Sequence, residues 1–171
     1  MNAYRPPSDL YPFQSNWLDI DGVRMHYLDE GPRSAPPVLM LHGNPTWSFY
    51  YRKLVLDLRG RYRCIVPDHI GCGLSDKPGD DRYSYTLERR IADLNALLDS
   101  LSLDQPLRLV VHDWGGMIGF GWAADRPEKI ARAVVLNTAA FPLPEDKPFP
   151  LALWFAGRTR LGALLVRGLN A

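Results

Sequence analysis

The segment Leu109–Gly116 constrains the fold of this chain more than any other, because a short apolar run is followed at once by His-Asp-Trp and two glycines. This order is typical of a strand, a sharp turn and a helix, and the glycines let the helix backbone pack close to the strand. The tip of such a turn presents its side chain at the carboxyl end of a parallel strand, as in the better-known Gly-x-Ser-x-Gly segment. Here the tip is Asp113, with Val111 two residues before it. Asp113 is therefore either a carboxylate nucleophile or the N-cap of the helix, and this segment alone leaves both open.

Alternating and apolar runs elsewhere predict the remaining strands and helices. Asp21 and Gly22 separate two alternating runs, which predicts a hairpin at a sheet edge. The predicted strands span Trp17–Ile20, Val23–Asp29, Val38–Leu41, Tyr62–Val66, Leu107–Val111 and Ala131–Leu136, and the predicted helices span Ser48–Arg59, Leu87–Leu101 and Gly115–Ala124. Strands that alternate with helices predict an α/β fold, a mostly parallel sheet with helices on both faces.

Three polar or glycine-rich loops each follow the carboxyl end of a predicted parallel strand. They are His42–Thr46, Asp68–Ser75 and Asp113–Gly116. Ligands in folds of this class bind beyond the carboxyl ends of the strands. The convergence of three loops on one place favours the nucleophile interpretation of Asp113 over the capping one.

Composition excludes several function classes. The chain has 171 residues, 46% of them hydrophobic and 23% charged, and its net charge of +1 offers no basic surface for nucleic acid. We expect no metal and no cofactor, because the two cysteines lack metal-site spacing and Asp68–Ser75 lacks a dinucleotide fingerprint. No run approaches a transmembrane span, and Met1–Phe13 has no signal-peptide core. Cys64 and Cys72 fit free thiols in a reducing cytoplasm, and His26 is expected at a strand surface.

With His42–Pro45 and Val111–Gly115 both considered, the chain resembles the α/β-hydrolases of the haloalkane dehalogenase group. The resemblance implies that Asp113 attacks the carbon bearing the leaving group, and that the side chains of Asn44 and Trp114 donate N–H groups to the departing anion. It also implies that the backbone N–H groups of Asn44 and Trp114 form the oxyanion hole. Epoxide hydrolases have a turn similar to the one at Asp113, but they usually carry an aromatic residue where this chain has Asn44.

A narrower resemblance is to the β-lactone decarboxylases of long-chain olefin biosynthesis. It is carried by His42–Arg52, by Val66–Pro78 and by the opening Tyr4–Pro12. It implies that a hydrophobic β-lactone is converted to an alkene and carbon dioxide, with Asp113 assisting ring opening, in a cytoplasmic protein that assembles with other olefin-pathway enzymes. The resemblance leaves open whether Asp113 attacks covalently or acts in another way. It also leaves open the alternative function of a hydrolytic haloalkane dehalogenase.

The covalent hydrolytic mechanism also needs a histidine base and an acid, and neither is found at its family position in this sequence. In one dehalogenase subgroup the acid lies about two dozen residues past the nucleophile, where this chain has Asn137. We therefore expect residues 1–140 to be the first part of the hydrolase core, residues 141–171 to begin a helical lid, and the chain to be an incomplete product that cannot turn over an ester. An open sheet edge at Ala131–Leu136 is a predicted aggregation site. An inactive fragment or a non-catalytic binding module is the alternative.

Overall fold

The computed structural model describes residues 6–139 and the isolated positions 151, 159, 161, 162 and 164. The chain separates into two compact units, residues 1–140 and 141–171. The helical lid predicted to begin in residues 141–171 lies largely outside the described residues, although the backbone is helical at positions 151, 161, 162 and 164. The assignment of residues 141–171 to a lid stays a prediction.

The first unit is built on a mixed sheet whose strands all lie close to their predicted positions. The strands are β1 (Asn16–Ile20), β2 (Val23–Glu30), β3 (Pro37–Leu41), β4 (Arg63–Pro67), β5 (Leu107–His112) and β6 (Ile130–Leu136), and their spatial order is β1-β2-β4-β3-β5-β6. Strands β4, β3, β5 and β6 are parallel, whereas β2 pairs antiparallel with both β1 and β4. The predicted α/β fold with a mostly parallel sheet is therefore confirmed, and the predicted hairpin is its antiparallel edge.

The predicted helices also form, with one difference at the first. A 3-10 turn over Ser48–Tyr51 precedes α1 (Arg52–Leu58), so the region predicted as a single helix over Ser48–Arg59 starts with a tighter turn. The helix α2 covers Leu87–Ser100 and α3 covers Trp114–Ala123. Thr86 caps α2: its hydroxyl oxygen accepts a hydrogen bond from the backbone N–H of Arg89.

The side chains of each central strand alternate between two apolar cores, one on each face of the sheet. In β3, Leu39 and Leu41 pack with α2 and α3, whereas Val38 and Met40 pack on the opposite face with Val55 of α1. Burial on both faces explains why these strands are continuous apolar runs in the sequence. The packing of these strands in the sheet also sets the positions of their carboxyl ends, and therefore the place where the loops that follow them meet.

Strand β6 lies at the edge of the sheet and is exposed along most of its length. Val134 and Val135 are 52% and 51% exposed and Leu136 is 40% exposed, and within the described residues β6 pairs only with β5. The predicted open edge is confirmed for this part of the chain. That it promotes aggregation stays a prediction.

Candidate active site

Asp113 occupies the sharp turn between β5 and α3, in a backbone conformation that few non-glycine residues adopt. Its φ is 52° and its ψ is −127°. It stands at the N-cap position of α3, yet its side chain makes no capping hydrogen bond. Instead, its carboxylate Oδ1 accepts a hydrogen bond from the backbone N–H of Asn44 at 2.9 Å. The side chain is therefore directed to the loop after β3 rather than to its own helix.

Two glycines make this turn sterically allowed. A Cβ atom on Gly43 would lie 2.3 Å from Cβ and 2.4 Å from Oδ1 of Asp113, and a Cβ on Gly115 would lie 2.1 Å from the carbonyl oxygen of Leu41. A close approach at the turn glycine Gly115 is thus observed, but its partner differs from the predicted one. For Gly115 the neighbouring backbone belongs to β3, not to the strand β5 from which the turn departs.

The structure brings Asn44 and Asp113 together, with Trp114 next to them as the first residue of α3. The Asn44 side chain is exposed, and its Oδ1 lies 3.7 Å from the Sγ of Cys72, which donates to it. Burial raises the pKa of the Cys72 thiol, which therefore stays protonated and able to donate at neutral pH. With Oδ1 held by the thiol, the Nδ2 donors of Asn44 are available to an anion.

The predicted convergence of loops is observed between the ends of β3, β4 and β5. The backbone N–H of Ser48 donates to Oδ1 of Asp68 at 2.7 Å, and the backbone N–H of His69 donates to Nε2 of His42 at 3.0 Å. These bonds join the loop after β4 to the loop that carries Asn44. The loop after β4 therefore supports the site through the loop after β3.

His42 and His69 form a buried pair between these two loops. The Nδ1 of His42 is 2.9 Å from the carbonyl oxygen of Gly43, and the Nε2 of His69 is 3.1 Å from the carbonyl oxygen of His42. Because Nε2 of His42 accepts a hydrogen bond, that ring is neutral. Burial lowers the pKa of both imidazoles, and for His69 the neighbouring His42 and Arg90 lower it further.

The stability of the chain should therefore fall as the pH drops. Unfolding exposes both rings, which then take up protons near pH 6.5, whereas the folded state keeps them neutral to lower pH. Each such ring contributes a slope of about 1.4 kcal/mol per pH unit below that value. The Asp68 carboxyl, whose pKa is lowered, takes up its proton at a lower pH than the two exposed rings, so it does not contribute to this slope.

Urea unfolding at about pH 7.5 and about pH 5.5 measures this slope. His42→Gln removes one titrating ring and should reduce the slope by about half, if the two rings contribute equally. A wild-type free energy of unfolding that is equal at the two pH values would contradict the assignment.

The expectation that His26 is a surface histidine is wrong. The side chain is fully buried: its Nδ1 lies 3.0 Å from Oδ2 of Asp68 and its Nε2 lies 2.9 Å from Oγ of Ser15. Burial alone would raise the pKa of the Asp68 carboxyl, but the hydrogen bond and charge of His26, with backbone N–H groups of Leu74 and Ser48, lower it. Position in the strand could not reveal this network, because Asp68 is 42 residues away in the sequence.

The segment before β1 also reaches the site, which the sequence did not predict. The hydroxyl groups of Tyr11 and Ser48 are 2.5 Å apart, and the Tyr11 ring packs against Trp47 with centroids 5.3 Å apart. Since Ser48 also binds Asp68, Tyr11 extends the support of the loop after β3. A tyrosine and a proline-rich stretch before the first strand are the signal that could have suggested it.

Apart from His26, each histidine lies at or just beyond the carboxyl end of a parallel strand. The ring of His112 stacks on Tyr50 with centroids 4.9 Å apart, and His42 and His69 bind backbone groups. Among the described residues there is no cluster of three or more His, Cys, Asp or Glu side chains that could hold a metal ion. In that same part of the chain both cysteines are free thiols, and no helix has the length and apolarity to cross a bilayer.

Comparison with known proteins agrees with this architecture. Residues 36–166 match the model of the alpha/beta hydrolase fold family. The chain is 60% identical over 162 residues to the cis-3-alkyl-4-alkyloxetan-2-one decarboxylase of Shewanella oneidensis, covering 95% of this chain and 50% of that protein. It is 52% identical over 167 residues to the enzyme of the same name from Xanthomonas campestris, covering 94% and 56%.

Among solved structures, the chain is similar to the haloalkane dehalogenase DatA from Agrobacterium tumefaciens C58. The TM-score is 0.78 with 27% sequence identity, and the match covers 96% of this chain and 56% of that one. The chain thus spans about half the length of the curated relatives it matches. The matched residues run from before β3 past β6 and include the turn at Asp113 and the loop at Asn44, so the chain belongs to the α/β-hydrolase fold family.

Proposed function

We propose that the protein carrying this chain converts a hydrophobic cis-3,4-dialkyl β-lactone to an alkene and carbon dioxide, with Asp113 as the nucleophile. The observation that carries the proposal is the hydrogen bond from the Asn44 backbone N–H to Oδ1 of Asp113 at 2.9 Å. It holds one carboxylate oxygen, while no described residue donates to Oδ2. The identities of 60% and 52% to two decarboxylases support the substrate class.

In the first step, Oδ2 of Asp113 attacks ring carbon C4 of the lactone. The bond between C4 and the ring oxygen breaks, and the acyl group of the lactone becomes a carboxylate that stays attached through C3. The side-chain N–H groups of Asn44 and Trp114 bind this carboxylate as its charge develops. The thiol of Cys72 helps by holding Oδ1 of Asn44 away from the anion.

In the second step, the ester between Asp113 and C4 is released by fragmentation. The bond from C3 to the carboxylate carbon breaks, its electron pair forms the C3=C4 double bond, and the C4–Oδ2 bond breaks. The products are an alkene, carbon dioxide and the original Asp113 carboxylate, so atoms and charge balance without water. This route does not use the histidine base and acid that ester hydrolysis requires.

The second candidate is a hydrolytic haloalkane dehalogenase, favoured by the similarity to DatA and by the same three residues. Asn44 and Trp114 would then bind a halide, and water would have to cleave the ester on Asp113. An epoxide hydrolase is disfavoured by Asn44, which stands where those enzymes usually carry an aromatic residue. A binding module without chemistry would keep the fold and form no ester.

We propose in addition a cytoplasmic location, which the free thiols Cys64 and Cys72 favour, and assembly with other enzymes of olefin synthesis. Residues 1–140 form the core and residues 141–171 begin the lid in this proposal. The assembly and the lid assignment rest on the resemblance to known relatives. Fractionation of cells and co-purification with the neighbouring pathway enzymes test them.

A paired assay on the natural polypeptide tests the chemistry. A long-chain cis-β-lactone and a bromoalkane of matched chain length are offered separately in H₂¹⁸O, and alkene, bromide and the mass of the Asp113 peptide are followed. We expect alkene with little bromide and no ¹⁸O in Asp113 after lactone turnover. Bromide with no alkene, and ¹⁸O in Asp113, would make the protein a dehalogenase; binding with neither product would make it a binding module.

The 171-residue chain provides the matched control. We expect it to release no more than about one equivalent of bromide from the bromoalkane, because hydrolysis of the ester lacks its base. Sustained bromide release by this chain alone would contradict that expectation. Alkene formation by the same chain would show that fragmentation needs neither the histidine nor the acid.

A further inference from the structure

The residues that follow β6 contact the backbone of the candidate nucleophile. The hydroxyl of Thr138 donates to the carbonyl oxygen of Asp113 at 2.5 Å, across 25 residues of sequence. The same carbonyl accepts a second hydrogen bond, from the backbone N–H of Gly116 at 2.9 Å. Two donors therefore hold one peptide group at the tip of the turn.

This peptide group matters because it joins Asp113 to Trp114. A peptide unit is planar, and its C=O and N–H point in opposite directions. Fixing the carbonyl oxygen of Asp113 therefore fixes the direction of the Trp114 N–H, one of the two backbone donors of the proposed oxyanion hole. It also stabilises the unfavourable φ of 52° that aims the Asp113 side chain at Asn44.

The space occupied by Thr138 is specific. A Cβ atom on Gly116 would lie 2.0 Å from Oγ1 and 2.5 Å from Cγ2 of Thr138, so the second glycine of the turn leaves room for this side chain. The parallel pairing of β5 with β6 brings Leu136 level with His112, which places Thr138 beside the start of α3. The hydroxyl is thus placed by the sheet register and by the glycine together.

We propose that Thr138 is a positioning residue for the reaction at Asp113, holding the Asp113–Trp114 peptide group in the orientation that ester formation requires. This inference rests on the proposed function of Asp113. It assigns a role to a residue outside both motifs that identify the site. Without the hydroxyl, the carbonyl keeps only the Gly116 donor, and the peptide group is held less tightly.

Single-turnover kinetics test the role. Ester formation on Asp113 is followed by rapid quenching and intact-protein mass spectrometry with a cis-β-lactone and, separately, with a bromoalkane, in the wild-type chain and in Thr138→Val, Thr138→Ser and Thr86→Val. Thr138→Val keeps the shape of the side chain and removes the donor, so we expect ester formation to slow by about 10- to 100-fold. Thr138→Ser restores the donor, and its rate should stay within about threefold of the wild type.

Thr86→Val is the matched control, because it removes the N-cap hydrogen bond of α2 to the backbone N–H of Arg89 and leaves the turn at Asp113 intact. We expect it to lower stability in urea and to leave the rate of ester formation unchanged. A wild-type rate in Thr138→Val would overturn the proposal. Equal slowing in Thr138→Val and Thr86→Val would also overturn it, because the effect would then be one of stability.

An amide readout separates this proposal from the proposed function. If the wild-type chain forms no ester, the nucleophile assignment fails, and ¹⁵N–¹H spectra still decide on Thr138. We expect the amide resonances of Trp114 and Gly116 to shift in Thr138→Val and to return in Thr138→Ser. Resonances that stay in place in Thr138→Val would show that its hydroxyl does not hold the turn.

Discussion

Asp113→Asn is expected to lower the rate of covalent ester formation by about 10⁴-fold or more, because a carboxamide lacks the charge that makes a carboxylate nucleophilic. The substitution keeps the size of the side chain, and the amide oxygen can still accept the hydrogen bond from the Asn44 backbone N–H. Fold and stability should therefore change little. The measurement is the rate at which the chain gains the mass of the alkyl group of a bromoalkane, bromide being released, or the whole mass of a β-lactone, with peptide mapping of the modified residue.

Two further variants make that result specific. Asp57→Asn replaces an exposed carboxylate on α1 and should leave the rate unchanged. Asp113→Ala removes the side chain and excludes activity regained by deamidation of the new asparagine. An adduct that forms at the wild-type rate in Asp113→Ala, or that maps to another residue in the wild type, would show that Asp113 is not the nucleophile.

Gly115→Ala is expected to destabilise the chain by about 3 kcal/mol, at the upper end of the cost of overpacking. The new Cβ would lie 2.1 Å from the carbonyl oxygen of Leu41 and 2.8 Å from that of His42. Both neighbours are backbone atoms, so α3 must move away from β3 as a unit. Chemical unfolding measures the free energy, and ester formation should slow as well, because the turn moves with the helix.

The control for that variant is Gly60→Ala, which places a methyl group where no atom lies within 4 Å. Its free energy of unfolding should stay within about 0.5 kcal/mol of the wild type. If Gly115→Ala were as stable as Gly60→Ala, the close packing of α3 on β3 would not contribute to the free energy of unfolding as the structure indicates.

The architecture could be predicted because the relevant signals are local. Burial on both faces makes Val38–Leu41 and Leu107–Val111 continuous apolar runs, and a left-handed turn at Asp21 and Gly22 fits the hairpin. The start of α1 could not be placed, because a 3-10 turn and the first turn of an α-helix have similar side-chain patterns.

The site was predictable only where residue type carries the chemistry. The sequence predicted that the loops of Asp113 and Asn44 meet, because parallel strand ends converge, and the bond between them comes from the Asn44 backbone N–H. His26 was predicted at the surface because a strand pattern cannot show that Asp68 and Ser15 supply buried hydrogen-bond partners for its ring. Thr138 gave no signal at all, since its partner is a backbone carbonyl that any residue would offer.

The bond from the Asn44 backbone N–H makes the two carboxylate oxygens of Asp113 inequivalent. If Oδ2 forms the ester, Oδ1 becomes the ester carbonyl oxygen, and it already lies where negative charge would gather during hydrolysis. Water would then replace only Oδ2, and Oδ1 would survive every cycle. In the dehalogenase alternative, the protein carrying this chain would therefore acquire a single heavy oxygen from labelled water. A second would appear only as fast as the carboxylate group rotates and exchanges its two oxygens in that hydrogen bond.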